Sequence, residues 1–174
     1  MRQSFSEKIK DKINEDLSPT KNLTGIHLKV VAAIAIIWSL FQLWYASPFP
    51  FIFNIGMFKG LPARAIHLGF ALTLAFLIYP ISKGKKISII DIIISFIGAF
   101  SCLYIYFFYD QLVDRGGVLL DIKISENFNF PVELIIGSCG ILILLEATRR
   151  AIGLPLVIIA ISFLLFSYFG TYAP

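Results

Sequence analysis

Charge is what this sequence has least of. Only 15% of its 174 residues are Asp, Glu, Lys or Arg, where a soluble domain carries about 25%. Too few charges are present to cover a surface that faces water on every side. Cysteine and histidine are scarcer still, two of each. Cys102 and Cys139 sit inside apolar runs with no His or Cys at ligand spacing. That argues against a disulfide framework or a metal site and leaves them as small packing residues. A glycine-rich phosphate loop, a His-Glu metal motif and a serine or cysteine nucleophile with a histidine partner are also missing, so the pattern does not read as an enzyme. The acidic residues Asp110, Asp114, Asp121 and Glu126 do not follow the spacing of a calcium loop. Nor does the N-terminus read as a secretory signal: its polar lead is too long and no small-residue cleavage pattern follows. Catalytic residues, a cofactor, a metal and a nucleic-acid partner are none of them expected.

What the chain has in excess is apolar length. It is 57% hydrophobic with a mean hydropathy of +0.82, against about 45–50% apolar for a soluble domain. The runs continue over about 20 residues, enough to cross a hydrocarbon core of about 30 Å, whereas barrel strands alternate over about 10. The fold class read from this is an all-α integral membrane protein of about five transmembrane helices. The spans fall near 26–46, 65–81, 87–108, 132–145 and 152–169, giving a membrane domain over 26–174 behind a segment over 1–25.

In the leading segment Ser4 to Glu7 fits a capping box. Phe5, Ile9 and Ile13 follow at helical spacing among Lys8, Lys10 and Lys12, as in a short amphipathic helix lying on anionic lipid; a solvated tail is the alternative. After the first span, Pro48, Pro50 and several Phe residues interrupt helical periodicity, so Ser47 to Gly60 reads as an interfacial or packing loop. His67, near the start of the second span, reads as an interface or packing residue rather than a proton carrier. Asp91 is expected to pair at the surface with Lys85 or Lys86. Between spans three and four, Val118, Leu119, Leu120, Ile122 and Ile124 could form a short extended or interfacial piece. Small residues make two helix faces, Gly98 with Ala99, Ser101 and Cys102, and Gly137 with Ser138 and Gly140, where other helices can approach closely.

Loop charge sets the orientation. With the N-terminus cytoplasmic, eleven of the fifteen Lys and Arg fall inside and four outside, in accord with the positive-inside rule. The chain's polar knot is Glu146, Thr148, Arg149 and Arg150, followed by Gly153 and Pro155. Two adjacent arginines at mid-bilayer would cost about 2.5–3.5 kcal/mol each, so the knot belongs at a membrane surface. Spacings of three and four residues let both arginines reach Glu146. The knot then either fixes the angle between the last two spans or acts as a topogenic stop.

These residues also carry a resemblance. The run Leu145-Glu146-Ala147-Thr148-Arg149-Arg150, then Gly153, then Phe169-Gly170-Thr171-Tyr172, resembles a segment of fused permeases of tripartite ATP-independent periplasmic (TRAP) transporters of the TAXI type. A second match runs from Arg64-Ala65-Ile66-His67-Leu68 to Leu77-Ile78-Tyr79-Pro80. Thr171 stands where that family usually has proline. The resemblance implies a scaffold membrane component, the small membrane domain or the N-terminal region of a fused permease, in the cell inner membrane. Implied partners are a large TRAP membrane domain, in the same chain or a separate subunit, and a periplasmic substrate-binding protein. Implied too is uptake of small organic acids or amino-acid-like anions, with sodium or proton coupling in the large domain. Glu146, Arg149, Arg150, Gly98, Gly137 and Gly140 are the structural interface candidates. Two other readings stand beside this one: a free-standing membrane assembly or channel-forming oligomer, and a membrane enzyme using Glu146, His67 or Asp91.

Overall fold

The computed structural model describes residues 25–58, 60–81, 88–116, 118, 122–125 and 128–170. The leading helix expected around Phe5, Ile9 and Ile13 lies outside them, as do Lys85 and Lys86. Among the described residues the architecture is helical apart from one small hairpin. Its elements are α1 (Ile26–Ala46), α2 (Phe49–Phe53), α3 (Gly60–Ile78), α4 (Ile89–Asp114), β1 (Ile122–Ser125), β2 (Phe128–Phe130), α5 (Val132–Ala151) and α6 (Leu154–Phe169). The strands pair antiparallel, Ile122 opposite Phe130. They occupy part of the polar segment where a short extended or interfacial piece was expected.

Three helices, α1, α3 and α4, are long and apolar enough to cross a membrane. At 20 residues α5 is as long, but charged residues occupy both its ends. With 16 residues, α6 extends only about 24 Å. The proline-rich loop is not wholly irregular: Pro50 is accepted in the first turn of α2, and Asn54 ends that helix in the left-handed region.

The knot needs a correction. Glu146 to Arg150 is not the turn between two helices but the last part of α5, which continues to Ala151. Intrahelical pairs from Glu146 to both arginines favour the helix there, and cations are stabilised at a helix C-terminus. The break comes afterwards, at Ile152 and Gly153. Gly153 has φ 111°, which a residue with a Cβ rarely adopts, and Pro155 follows in the first turn of α6, where its missing N–H costs nothing.

Packing is built around α3. Val31 of α1 buries against Leu74 and Leu77 of α3, joined by Ile34, Ala35 and Trp38. On the other side Leu72 and Phe76 of α3 meet Cys102 of α4 and Ala147 of α5. Glycines set the close approaches. A Cβ at Gly69 would touch Cys102 at 3.4 Å, one at Gly140 would touch Ser101 at 3.4 Å, and one at Gly98 would come within 3.0 Å of Ile143 and 3.4 Å of Leu72. Both expected small-residue faces therefore contribute to packing within the chain. Gly137 differs, since a Cβ there would meet nothing within 4 Å.

The outside of this bundle is apolar. Ile36, Leu40, Leu43, Phe96, Phe107 and Leu142 are all exposed, and α6 buries only Val157. The inside holds charge: Asp91 and Glu133 are buried. Hydroxyls on the helices are satisfied locally, Thr73 donating to the Gly69 carbonyl, Ser101 to that of Ile97 and Ser162 to that of Ile158.

Gly98→Leu should force α4 away from α3 and α5 and lower stability by about 1–3 kcal/mol, whereas Gly137→Ala should leave it unchanged. Thermal unfolding of the purified chain in detergent measures both. Equal stability of the two variants would refute the packing assigned to Gly98.

Candidate functional site

The densest chemistry lies where the C-terminal ends of α3 and α5 meet the N-terminus of α4. Ser88 caps α4: its hydroxyl accepts from the Ile90 amide at 3.3 Å, and its own N–H donates to Asp91 at 3.3 Å, a capping box with Asp in the third position. The Asp91 carboxylate also accepts from the Ile81 amide, at 3.2 and 3.3 Å to its two oxygens. It is 0% exposed. From the end of α5 the Arg150 Nη1 donates to Asp91 at 2.6 Å and to the Tyr79 carbonyl, just past α3, at 3.3 Å. Its Nε donates to Glu146 at 2.8 Å, and its guanidinium carbon stands 4.9 Å from the centre of the Phe76 ring. Nη2 is buried without a hydrogen-bond partner among the described residues.

Asp91 is thus not at the surface where it was expected, and its expected partners Lys85 and Lys86 lie outside the described residues. Asp91 lies inside and its partner is Arg150, 59 residues away in sequence. The reason is geometric. An acid in the first turn of α4 and a base in the last turn of α5 are brought together when the two helices run antiparallel. Both charges also sit at the favourable ends of their helix dipoles. Arg149 keeps to the outside, with its Nε 2.7 Å and Nη2 2.8 Å from the Glu146 oxygens. Glu146 thus holds both arginines, Arg149 on the outside and Arg150 on the inside.

A second ion pair occupies the other end of the same two helices. Arg115, capping the C-terminus of α4 through its Nε–H to the Gln111 carbonyl, forks onto Glu133 in the first turn of α5, at 2.5 and 3.1 Å. Tyr104 donates to the same carboxylate at 3.1 Å. Neither Glu133 nor its pairing with Arg115 stands out in the sequence. The available signal was an acid opening one helix and an arginine closing the preceding one. Along α5 the two pairs are separated by about 26 Å and along α4 by about 36 Å, which brackets the thickness of a hydrocarbon core.

Asp91 and Glu146 share Arg150, but His67 lies away from them on α3, accepting at Nδ1 from the Trp38 indole at 2.7 Å. The three candidate acid–base residues do not form one site. Among the described residues no three His, Cys, Asp or Glu gather to hold a metal. Gly137 and Gly140 line an apolar groove of about 230 Å³ between α3, α4 and α5, ending at Tyr104 and Glu133. Such an arrangement of ion pairs ties the ends of α3, α4 and α5 together. Comparison with family models, with curated proteins and with solved structures gives no match.

Removing one member of the inner pair strands its partner. Asp91→Leu or Arg150→Met should each destabilise by about 3–5 kcal/mol. The double variant Asp91→Leu with Arg150→Met should recover much of the loss, while Arg149→Gln should change stability little because Arg149 is exposed. Unfolding curves of the four proteins decide; full additivity of Asp91 and Arg150 changes would show that the pair is not coupled.

Proposed function

We propose that this chain is a multi-pass inner-membrane protein and the scaffold component of a TRAP-type, binding-protein-dependent secondary transporter. One observation carries the membrane reading: apolar side chains cover the outside of the bundle while Asp91, Arg150 and Glu133 are enclosed within it. Water would reverse that distribution, since large apolar patches on soluble chains are exceptional and buried charges are costly. Five crossings are proposed, with the N-terminus cytoplasmic and α5 crossing between its two ion pairs.

Scaffold rather than conduit follows from where the charges stand. Among the described residues, the lysines, arginines and carboxylates of the long helices lie in their first or last two turns. Each carboxylate detailed above is tied to an arginine, so none is free at mid-depth to serve an ion or substrate path. The transporter class rests on the two sequence matches, Arg64–Leu68 with Leu77–Pro80 and Leu145–Gly153 with Phe169–Tyr172. Under this reading a large membrane domain carries the sodium or proton coupling and moves the substrate, a small organic acid or amino-acid-like anion delivered by a periplasmic binding protein. The rigid knot presents a fixed face to that domain.

A reporter fused after Lys86 should report cytoplasm and one after Asp121 the outer side; both on one side would sink the five-crossing topology. For the transport role, Glu146→Gln combined with Arg149→Lys removes the outer fork and leaves Arg150 on Asp91. Lysine cannot reproduce the forked geometry. Insertion should be normal and substrate uptake by the complete transporter reduced. Wild-type uptake at equal membrane levels would make the outer arm of the knot a topology signal only.

A further inference from the structure

Helix α1 is one of the two helices held lightly by this bundle. Its buried side chain is Val31, and its described polar ties to α3 converge on a single residue, His67. The Trp38 indole N–H donates to His67 Nδ1 at 2.7 Å, and Gln42 lies 3.2 Å from Nε2. Trp38 meets the imidazole edge-on with ring centres 5.4 Å apart and stacks on Phe70, while Phe41 tilts against His67 at 6.1 Å. An Nδ1 that accepts has no proton, so the ring is neutral and carries its proton on Nε2; the Gln42 amide, whose nitrogen stands there, presents its oxygen as acceptor when turned over.

We propose that His67 is a pH-sensitive latch: neutral, it fastens the second half of α1 to α3, and protonation releases it. The imidazolium carries N–H on both nitrogens. Nδ1–H would then point at the indole N–H, donor against donor, and a bond between two helices becomes a conflict between them. Among the described residues the surroundings do not compensate. From α1 the ring faces Trp38, Phe41 and Gln42, none of which is charged. Tyr45 stacks on Phe41, and Lys29 and His27 stand at the opposite end of that helix. On α3 the nearest charge is Arg64, one turn earlier and exposed, and its sign opposes a second cation. The loop before α3 brings Phe58 against Phe41. From α4, Cys102 packs at Gly69 and Tyr106 at Phe58. The Glu133 carboxylate, which shares a groove with Leu68, is taken by Arg115 and Tyr104. The apolar contacts of Val31 with Leu74 and Leu77 hold the first half of α1 independently, so release is local and reversible. The latch depends on this contact alone and is independent of the transporter reading.

The indole N–H resonance of Trp38 reads the latch directly in the full chain in lipid nanodiscs. The chain has two tryptophans, and Trp44→Phe assigns the signal. When the pH is lowered from about 8 to about 5, the resonance should lose its hydrogen-bonded shift. After correction for the intrinsic pH dependence of exchange, this proton should exchange roughly tenfold faster or more. Quenching of Trp38 fluorescence by brominated lipid should rise over the same range, because an opened seam admits acyl chains. In His67→Asn the amide oxygen takes the place of Nδ1 as an acceptor that does not titrate, and both responses should vanish with the bond kept. A Trp38 signal that ignores pH in the unsubstituted chain, or an identical response in His67→Asn, would overturn the proposal. Should His67→Asn not fold, the unsubstituted titration still decides, since it requires no change at His67.

Discussion

The pairing of Asp91 with Arg150 is the constraint on which the bundle depends. It joins three helix ends at one point: the first turn of α4, the last turn of α5 and, through the Tyr79 carbonyl, the end of α3. A charge so enclosed must be matched almost completely, because an uncompensated buried ion costs several kcal/mol. The carboxylate accepts from two backbone amides and one guanidinium. The guanidinium donates to two carboxylates and a carbonyl. Such mutual demand admits few geometries, so the pair fixes the register of α4 against α5 more sharply than the apolar contacts around it.

The second pair, Arg115 with Glu133, repeats the arrangement at the other end. In each case an acid opens one helix and an arginine closes its antiparallel neighbour, so helix dipoles and side-chain charges act in the same sense. Between the two pairs small residues set the approach of the helices, Gly98 receiving Ile143 and Leu72 and Gly140 facing Ser101. Lipid offers no hydrophobic drive for helices to associate, so close approach and terminal polar contacts must hold them together. The outward-facing Ile, Leu and Phe are left for the hydrocarbon.

This division separates rigid from loose parts. The α3–α4–α5 core is clamped at both ends and tightly approached at Gly69, Gly98 and Gly140. Outside it lie α1, joined through Val31 at one end and His67 toward the other, and α6, attached by a short break and burying one residue. A rigid centre with lightly held flanking helices suits a scaffold whose outer helices meet other parts of an assembly.

The sequence by itself determined that the chain is helical, and where most of the helices lie. Continuous apolar runs can be satisfied in few ways, and Gly153 with Pro155 had to interrupt the last one. Charge placement also showed that Glu146 could be reached by both arginines, since that depends only on helical spacing. It ended the fourth span too early, at 145, because Glu146, Arg149 and Arg150 read as a polar boundary while their ion pairs carry the helix on to Ala151. Only the tertiary structure decided the partner of Asp91. Lys85 and Lys86 are near it in sequence, but Arg150 becomes its neighbour only when α4 and α5 lie antiparallel. Glu133 with Arg115, and Trp38 with His67, were hidden for the same reason: contacts 18 and 29 residues apart follow from how helices are arranged in space, which periodicity along one helix does not encode.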